Sequence, residues 1–220
     1  MELELISFKL CPFVQRSVIA LKHVGMDYRI TFIDLNNPPD WFPEVSPFEK
    51  VPVLRVHDGD KVTNIFESAV IAELVQELSD KPLHPEDPVT RAYNRSWIEV
   101  ASSCFEHVFH LTGAEDEKAY KQQRQALLEK LDMMEEVIAG PYFNGEEPYL
   151  VDFATAPLFM RLEILGDFYD REEYPKVAAW SDALLALPVV QDSVVPEFEM
   201  LFKGMVKNRS AFTAEKHGIA

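Results

Sequence analysis

Cys11 is the residue of this sequence best suited to covalent chemistry, because it lies between a predicted strand and a predicted helix, directly before Pro12. Proline is favoured at the first position of a helix, so Pro12 places Cys11 at a helix N-terminus. Backbone N–H groups and the helix dipole stabilise anions there, and we expect a lowered thiol pKa and a nucleophilic thiolate. The alternative is a buried structural cysteine, the commoner fate of a lone Cys.

Two further motifs favour a site for a short peptide. Val51-Pro52 begins a predicted strand, a position where proline is tolerated. A cis peptide bond there would turn the Val51 backbone outward, where it could pair with an extended peptide. The alternative is an ordinary trans proline without a binding role. Glu67-Ser68 opens a predicted helix, either as a plain cap or as a site for a carboxylate and an ammonium. With Cys11, these motifs predict a pocket for a peptide that carries its own thiol.

The elements that position these residues belong to two differently patterned parts of the chain. In residues 1–79 the order is β-α-β and then β-β-α, and a right-handed crossover makes the first two strands parallel. The predicted strands cover 3–8, 28–33, 53–56 and 62–66, with helices over 12–24 and 67–78, a stop at Gly25 and a hairpin turn over 57–60.

The second part of the chain has a helical pattern throughout. Residues 80–88 contain three prolines and form the predicted linker. In residues 89–220, apolar stripes run from Tyr93 to Leu111 and from Leu127 to Ile138, and further helices are predicted over 152–165 and 175–187. The last dozen residues are predicted to be a frayed tail. The sequence therefore predicts an α/β domain, a linker and an all-α domain.

Composition limits the partners and the compartment. The chain has 37 acidic and 21 basic residues, and a net charge of −16 repels phosphate backbones and anionic lipid, so we expect no nucleic-acid partner. The first residues lack the pattern of a signal peptide, and no apolar run approaches the length of a membrane span, so we expect no membrane association. The two cysteines fit a reducing compartment, and the prediction is a cytoplasmic protein.

A metal site is not expected. Cys104, His107 and His110 follow one another at three-residue steps on a predicted helix. Such steps drift by about 60° each around the helix, and no nearby run supplies further ligands at zinc spacing. Cys104 lies on an apolar stripe and is interpreted as structural.

The chain resembles the glutathione transferases, whose thioredoxin-like N-terminal domain precedes an all-helical domain. Within that superfamily it is most similar to the omega class. The resemblance is carried by Cys11-Pro12-Phe13 with Arg16, by Asp40-Trp41-Phe42, by Pro47-Phe48 and Val51-Pro52-Val53-Leu54, and by Phe66-Glu67-Ser68-Ala69, with shorter matches at Asp152-Phe153 and Arg161-Leu162-Glu163.

This resemblance implies roles for particular residues. Cys11 would form or resolve a mixed disulfide with glutathione, the co-substrate, and Arg161 is the best candidate for contact with the second substrate. The resemblance also implies a homodimer without a metal. The residues expected to bind glutathione are Phe13, Leu35, Val51, Glu67 and Ser68, with Pro52 as the cis proline.

The same resemblance implies a thiol transferase or dehydroascorbate reductase. A dithiol mechanism needs a second Cys at position 14, and this chain has Val14, so a monothiol route is implied. A conjugating transferase is the first alternative; there a Ser or Tyr hydroxyl usually activates glutathione, and Ser7 lies on the first strand. The second alternative is a non-catalytic binding or regulatory protein of the same fold.

Two positions depart from the family pattern. Pro38 stands where omega sequences commonly carry a Lys that helps to bind glutathione, which puts one charge contact in doubt. Tyr149 precedes Asp152 by three residues, where the superfamily usually has the Ser or Thr of a capping box. That box is a folding device, so its loss would bear on stability more than on activity.

Overall fold

A four-stranded mixed sheet with strand order β2-β1-β3-β4 organises the first part of the computed structural model, which describes residues 1–166 and 168–219. β1 and β2 are parallel, as predicted, and the other neighbouring strands are antiparallel. The elements of this part are β1 (Glu2–Ser7), α1 (Pro12–Val24), β2 (Arg29–Phe32), α2 (Phe42–Val45), β3 (Val53–Asp58), β4 (Lys61–Phe66) and α3 (Ser68–Glu77).

The predicted boundaries of α1 are confirmed at both ends. Pro12 is its first residue, and Gly25 follows it with a left-handed φ of 73°, which places the Gly25 N–H against the Lys22 carbonyl. The hairpin turn is shorter than predicted, because β3 continues to Asp58 and β4 begins at Lys61. The four-residue helix α2 was not predicted.

Seven helices follow in the described part of residues 88–219. They are α4 (Pro88–Thr112), α5 (Glu117–Val137), α6 (Leu150–Leu165), α7 (Pro175–Leu185), α8 (Pro188–Gln191), α9 (Phe198–Arg209) and α10 (Ala211–Lys216). The sequence pattern located α4 to α7 and missed α8 and α9. Helix α6 is buried along most of its length and packs against α1, α4 and α7, so it connects the two domains behind the N-terminus of α1.

Hydrogen bonds and a buried side chain attach the predicted linker to the neighbouring helices. Leu83 is fully buried, its N–H donates to the Gln76 side chain, and its carbonyl accepts the Leu150 N–H at 2.6 Å. Asp87 caps α4 by accepting the Thr90 N–H at 2.7 Å, and Pro88 is the first helical residue. The linker therefore ends one residue earlier than predicted.

Asp152 organises the start of α6. Its Oδ1 accepts the Phe143 N–H at 2.8 Å and the Trp180 Nε1–H at 2.6 Å, and its Oδ2 accepts the Tyr149 N–H at 2.9 Å. The acidic half of the capping box is thus intact, although Tyr149 stands at the cap position. The expected loss of the box applies to its Ser or Thr half alone.

The prediction of a frayed C-terminal tail is wrong. Ser210 caps α10 through the Thr213 N–H at 3.0 Å, and the Thr213 hydroxyl donates to the Leu111 carbonyl at 3.1 Å. Thr213 and Ala214 are buried. Polar side chains that reach buried carbonyls attach this segment, and such contacts leave little apolar periodicity in a sequence.

Candidate active site

Cys11 stands at the N-terminal cap of α1, where the loop after β1 turns into the helix. Its Sγ lies 3.7 Å from the Val51 carbonyl oxygen, which can accept the thiol proton, and its N–H donates to the Phe8 carbonyl at 3.1 Å. The side chain is half-buried. The predicted position at a helix N-terminus is confirmed.

A cleft of about 580 Å³ opens at Cys11, between the sheet domain and α4. The structure brings all of the predicted glutathione-contact residues to this one cleft. They are Phe13, Leu35, Val51, Pro52, Glu67 and Ser68. They come from separate places in the sequence, so the fold brings distant residues together along one cleft.

The Val51-Pro52 peptide bond is cis. Both residues are buried, and Val53 begins β3 directly after them. Leu35 lies on the opposite loop and is 39% exposed. Pro38 is exposed and is absent from the residues lining the cleft, whereas Lys50 lines it next to Val51.

The start of α3 presents Glu67 and Ser68 to the cleft. The Ser68 Oγ accepts a hydrogen bond from Arg16 Nε at 2.9 Å, which leaves the hydroxyl proton of Ser68 free to donate. Glu67 is exposed and has a φ of 69° with ψ of 115°, a backbone conformation that a side chain with a Cβ rarely adopts. The strained residue and the helix N-terminus therefore occupy the place where an amino-acid head group was predicted.

Arg16 joins the two domains beneath the cleft. Besides its bond to Ser68, its Nη1 donates to Ser102 Oγ on α4 at 2.8 Å, and its guanidinium lies 5.0 Å from the Phe13 ring centroid. Burial lowers the Arg16 pKa to about 10, while nearby Glu99 acts in the opposite direction. Arg16 remains a cation at neutral pH and supports both Ser68 and Phe13.

The wall formed by α4 was not identified from the sequence. It consists of Glu99, Ser102, Ser103 and Glu106. Their spacing of three and four residues puts polar side chains on one face of a helix, and this spacing can be recognised in the sequence. It could not be assigned to the site, because nothing local in α4 indicates that this face meets Cys11.

The expected lowering of the Cys11 pKa is wrong for the free protein. Burial raises the pKa of the Cys11 thiol and outweighs the backbone N–H groups of Val14 and Phe13 and the charges of Arg161 and Arg16, which lower it. The helix N-terminus acts in the predicted direction. The sequence could not show how much desolvation opposes it.

Arg161 lies behind Cys11 and is absent from the residues lining the cleft. It is 3% exposed, and its Nη2 donates to the carbonyl of Leu10 at 2.9 Å, directly before the cysteine. Its Nη1 donates to Gln15 Oε1 at 2.7 Å. The structure therefore connects Arg161 to the loop that carries Cys11.

Other candidate groups are remote from the cleft or buried. Ser7 is fully buried and is not among the residues lining the cleft, and Val14 is 4% exposed. Cys104 is fully buried on α4, where burial raises its pKa to about 12. His107 Nδ1 lies 3.0 Å from Gln123 Oε1.

Residues 1–166 and 168–219 contain neither a metal-site cluster nor a membrane-spanning helix. Within them, no cluster of three or more His, Cys, Asp or Glu side chains has the arrangement of a metal site. Across the same residues, no helix combines the length and the apolarity needed to cross a bilayer.

The fold and the cleft define a thioredoxin-like domain, with a cysteine at its first helix, joined to a helical domain. Two family models match this chain: the N-terminal domain of glutathione S-transferase over residues 10–78 and its C-terminal domain over residues 117–183. Glutathione S-transferase omega-1 of Mus musculus is 30% identical over 191 residues, which cover 86% of this chain and 78% of the mouse protein.

A probable glutathione S-transferase of Oryza sativa subsp. japonica, named DHAR1 and cytosolic, is 30% identical over 185 residues, or 80% of each chain. The crystal structure of glutathione transferase Omega 3C from Trametes versicolor matches with a TM-score of 0.78 at 27% identity, covering 88% of this chain and 89% of that one. The chain therefore belongs to the glutathione S-transferase family, whose members use glutathione as a co-substrate, and it is omega-like.

Proposed function

We propose that this protein is a glutathione-dependent thiol transferase or dehydroascorbate reductase that uses Cys11 in a monothiol mechanism. The observation that supports this most directly is that Cys11 lines the same cleft as every residue predicted to contact glutathione. A cysteine at this position favours disulfide exchange over activation of glutathione for conjugation.

The cleft offers complementary groups for each part of the tripeptide. The Ser68 hydroxyl and the N-terminus of α3 suit the α-carboxylate of the γ-glutamyl residue, and the exposed Glu67 carboxylate suits its ammonium. The Val51 backbone suits main-chain pairing with the central cysteine. Bound in this way, glutathione would direct its sulfur toward Cys11 Sγ.

The proposed reaction has two exchange steps. Thiolate Cys11 attacks the glutathionyl sulfur of a mixed disulfide, the old S–S bond breaks, and the substrate leaves as a thiolate that takes up a proton. The thiolate of a second glutathione then attacks the glutathionyl sulfur on Cys11, which releases glutathione disulfide and restores the Cys11 thiolate. With dehydroascorbate, two glutathione molecules supply the two electrons and are released as the disulfide.

Resolution by a second protein thiol has no support in the geometry. Position 14 is Val14, and Cys104 is fully buried. The conjugating alternative lacks an available hydroxyl at Ser7, because Ser7 is fully buried and is not a residue of the cleft. The non-catalytic alternative requires a degraded pocket, whereas the residues predicted to contact glutathione line one cleft here.

The decisive experiment is a paired assay with glutathione. It compares reduction of a glutathione mixed disulfide and of dehydroascorbate with conjugation of an electrophilic aryl halide. We expect strong reduction and weak conjugation, with reduction lost in Cys11→Ala and retained in the matched control Cys104→Ser. Conjugation that survives in Cys11→Ala would favour the conjugating class, and inactivity with no glutathione binding would favour a binding protein.

We also propose a cytoplasmic homodimer. The exposed aromatic pair Phe48 and Phe66, with ring centroids 5.9 Å apart, and Val70, which is 52% exposed, offer apolar surface near the cleft. Light scattering coupled to size exclusion tests the dimer, with Phe48→Ser expected to weaken it. Both cysteines are free thiols, which agrees with a reducing compartment.

A further inference from the structure

Arg161 is a buried cation, and among residues 1–166 and 168–219 it has no carboxylate partner. Its guanidinium donates to three neutral acceptors: the Gln15 side chain at 2.7 Å, the Pro157 carbonyl at 2.6 Å and the Leu10 carbonyl at 2.9 Å. It forms no salt bridge with any Asp or Glu among residues 1–166 and 168–219. A buried charge is costly unless an opposite charge compensates it.

The guanidinium is held rigidly from several sides. Gln15 is 3% exposed, and its Nε2 donates to Ser193 Oγ at 3.0 Å, so its Oε1 is directed at Arg161. The ring centroid of Phe198 lies 5.1 Å from the Arg161 Cζ on another side. These contacts come from α1, α9 and the segment after α8, and they fix the guanidinium without supplying a negative charge.

Cys11 is the ionisable group with which the Arg161 charge interacts. Arg161 is bonded to the carbonyl of Leu10, the residue before Cys11, and a Cys11 thiolate would be the anion that raises the Arg161 pKa, which burial otherwise lowers to about 10. The second guanidinium that acts on the thiol, that of Arg16, is influenced by Glu99 and Glu67 as well as by Cys11. Among the described residues, no carboxylate competes in this way for Arg161.

We propose that Arg161 is a positioning residue for Cys11: its buried guanidinium stabilises the Cys11 thiolate from the side opposite the cleft and holds the loop that carries the cysteine. This role differs from contact with the second substrate. It means that docking of the helical domain, through α6, sets the reactivity of a thiol in the sheet domain. The inference deepens the proposed function and rests on Cys11 being the reacting thiol.

Several other charged side chains lie around Cys11 and contribute to its electrostatic environment. On the cleft side they come from α1, the loop before β3, the start of α3 and α4; on the opposite side they come from the loop before α1, α1 itself and the segment after α8. These residues are Arg16, Glu49, Lys50, Glu67, Glu99 and Glu106 in the cleft, and Lys9, Lys22 and Asp192 on the other side.

The test measures Cys11 ionisation directly. The rate of Cys11 alkylation by iodoacetamide is followed from neutral to strongly alkaline pH in the reduced protein without glutathione, with peptide mass spectrometry to separate Cys11 from Cys104. We expect Arg161→Met to raise the midpoint by about one pH unit, a tenfold smaller thiolate fraction near neutrality. Arg161→Lys, which keeps the charge, should shift it less.

Two further variants keep the test decisive. Gln15→Glu places a carboxylate against the guanidinium with almost no change of shape, so it should also raise the midpoint, and it serves if Arg161→Met does not fold. Arg124→Met is the matched control, because Arg124 donates both of its hydrogen bonds to the Phe168 carbonyl in the helical domain. It should leave the midpoint unchanged.

Wild-type midpoints in folded Arg161→Met and Gln15→Glu would overturn the inference, and so would an equal rise in Arg124→Met. The alkylation assay uses neither glutathione nor a disulfide substrate. Failure of the Arg161 inference therefore leaves the reductase assay unaffected, and an inactive enzyme would not by itself alter the alkylation result.

Discussion

Asp152→Ala should strongly destabilise the fold, because one carboxylate accepts hydrogen bonds from three donors at the start of α6. The Trp180 Nε1–H and the Phe143 N–H both bond to Oδ1 and belong to residues that are 1% and 2% exposed, and the Tyr149 N–H bonds to Oδ2. Removing the acceptor leaves at least the two buried donors unpaired. Each unpaired buried donor costs about 1–3 kcal/mol.

The expected loss of unfolding free energy is therefore about 2–6 kcal/mol for the two buried donors, with the lower end applying if a water enters the space of the lost carboxylate. Urea denaturation followed by tryptophan fluorescence and by circular dichroism measures it. Asp152→Asn keeps one carbonyl oxygen but turns an amide toward a donor, so its loss should be intermediate.

Asp87→Ala is the matched control. Asp87 also caps a helix, through the Thr90 N–H, but its donors are exposed and can bond to water after the substitution. Its effect should be much smaller than that of Asp152→Ala. If the two variants lose similar stability, or if Asp152→Ala remains within about 1 kcal/mol of wild type, the argument from buried unpaired donors is refuted.

Three further predictions concern the cleft and the pH dependence of stability. Ser68→Ala should weaken glutathione binding about tenfold in calorimetry and should also lower the unfolding free energy by about 1–3 kcal/mol, because it removes the acceptor of the buried Arg16 Nε–H; unchanged affinity would remove Ser68 from the site. Glu67→Gly should raise the free energy of unfolding by about 1 kcal/mol, because glycine adopts a φ of 69° without strain. The same variant should bind glutathione more weakly. A lower free energy of unfolding would contradict the strain argument. Burial raises the pKa of Asp152 from 3.8 to about 6, so the native state binds the extra proton in that interval and stability should fall as pH rises through it. The difference in stability between wild type and Asp152→Asn should then shrink over that range, and a constant difference would contradict the raised pKa.

Much of the fold was predictable because its signals are local. Pro12 and Gly25 bound α1, the β-rich runs define the strands, and the prolines before α4 mark the linker. Segments whose contacts are polar and distant were missed or misassigned. Helix α10 was expected to fray because its attachment depends on Ser210 and Thr213 reaching carbonyls about a hundred residues away.

The sequence by itself indicated the candidate reactive group and the chemical class of its partner. Cys11 before Pro12, Val51-Pro52 and Glu67-Ser68 are local motifs whose chemistry is evident from residue type and from neighbours in the chain. For that reason they predicted a thiol, a strand entry and a helix N-terminus that meet in one peptide pocket.

Tertiary structure alone decided the electrostatic state of that thiol. The direction in which the Cys11 pKa shifts depends on how far burial outweighs the helix N-terminus. It also depends on two guanidiniums, and one of them, that of Arg161, lies 150 residues away in the other domain. Desolvation and Coulomb interactions depend on three-dimensional distance and on exclusion of water. Neither quantity is present in the order of the residues, so only the packed domains determine it.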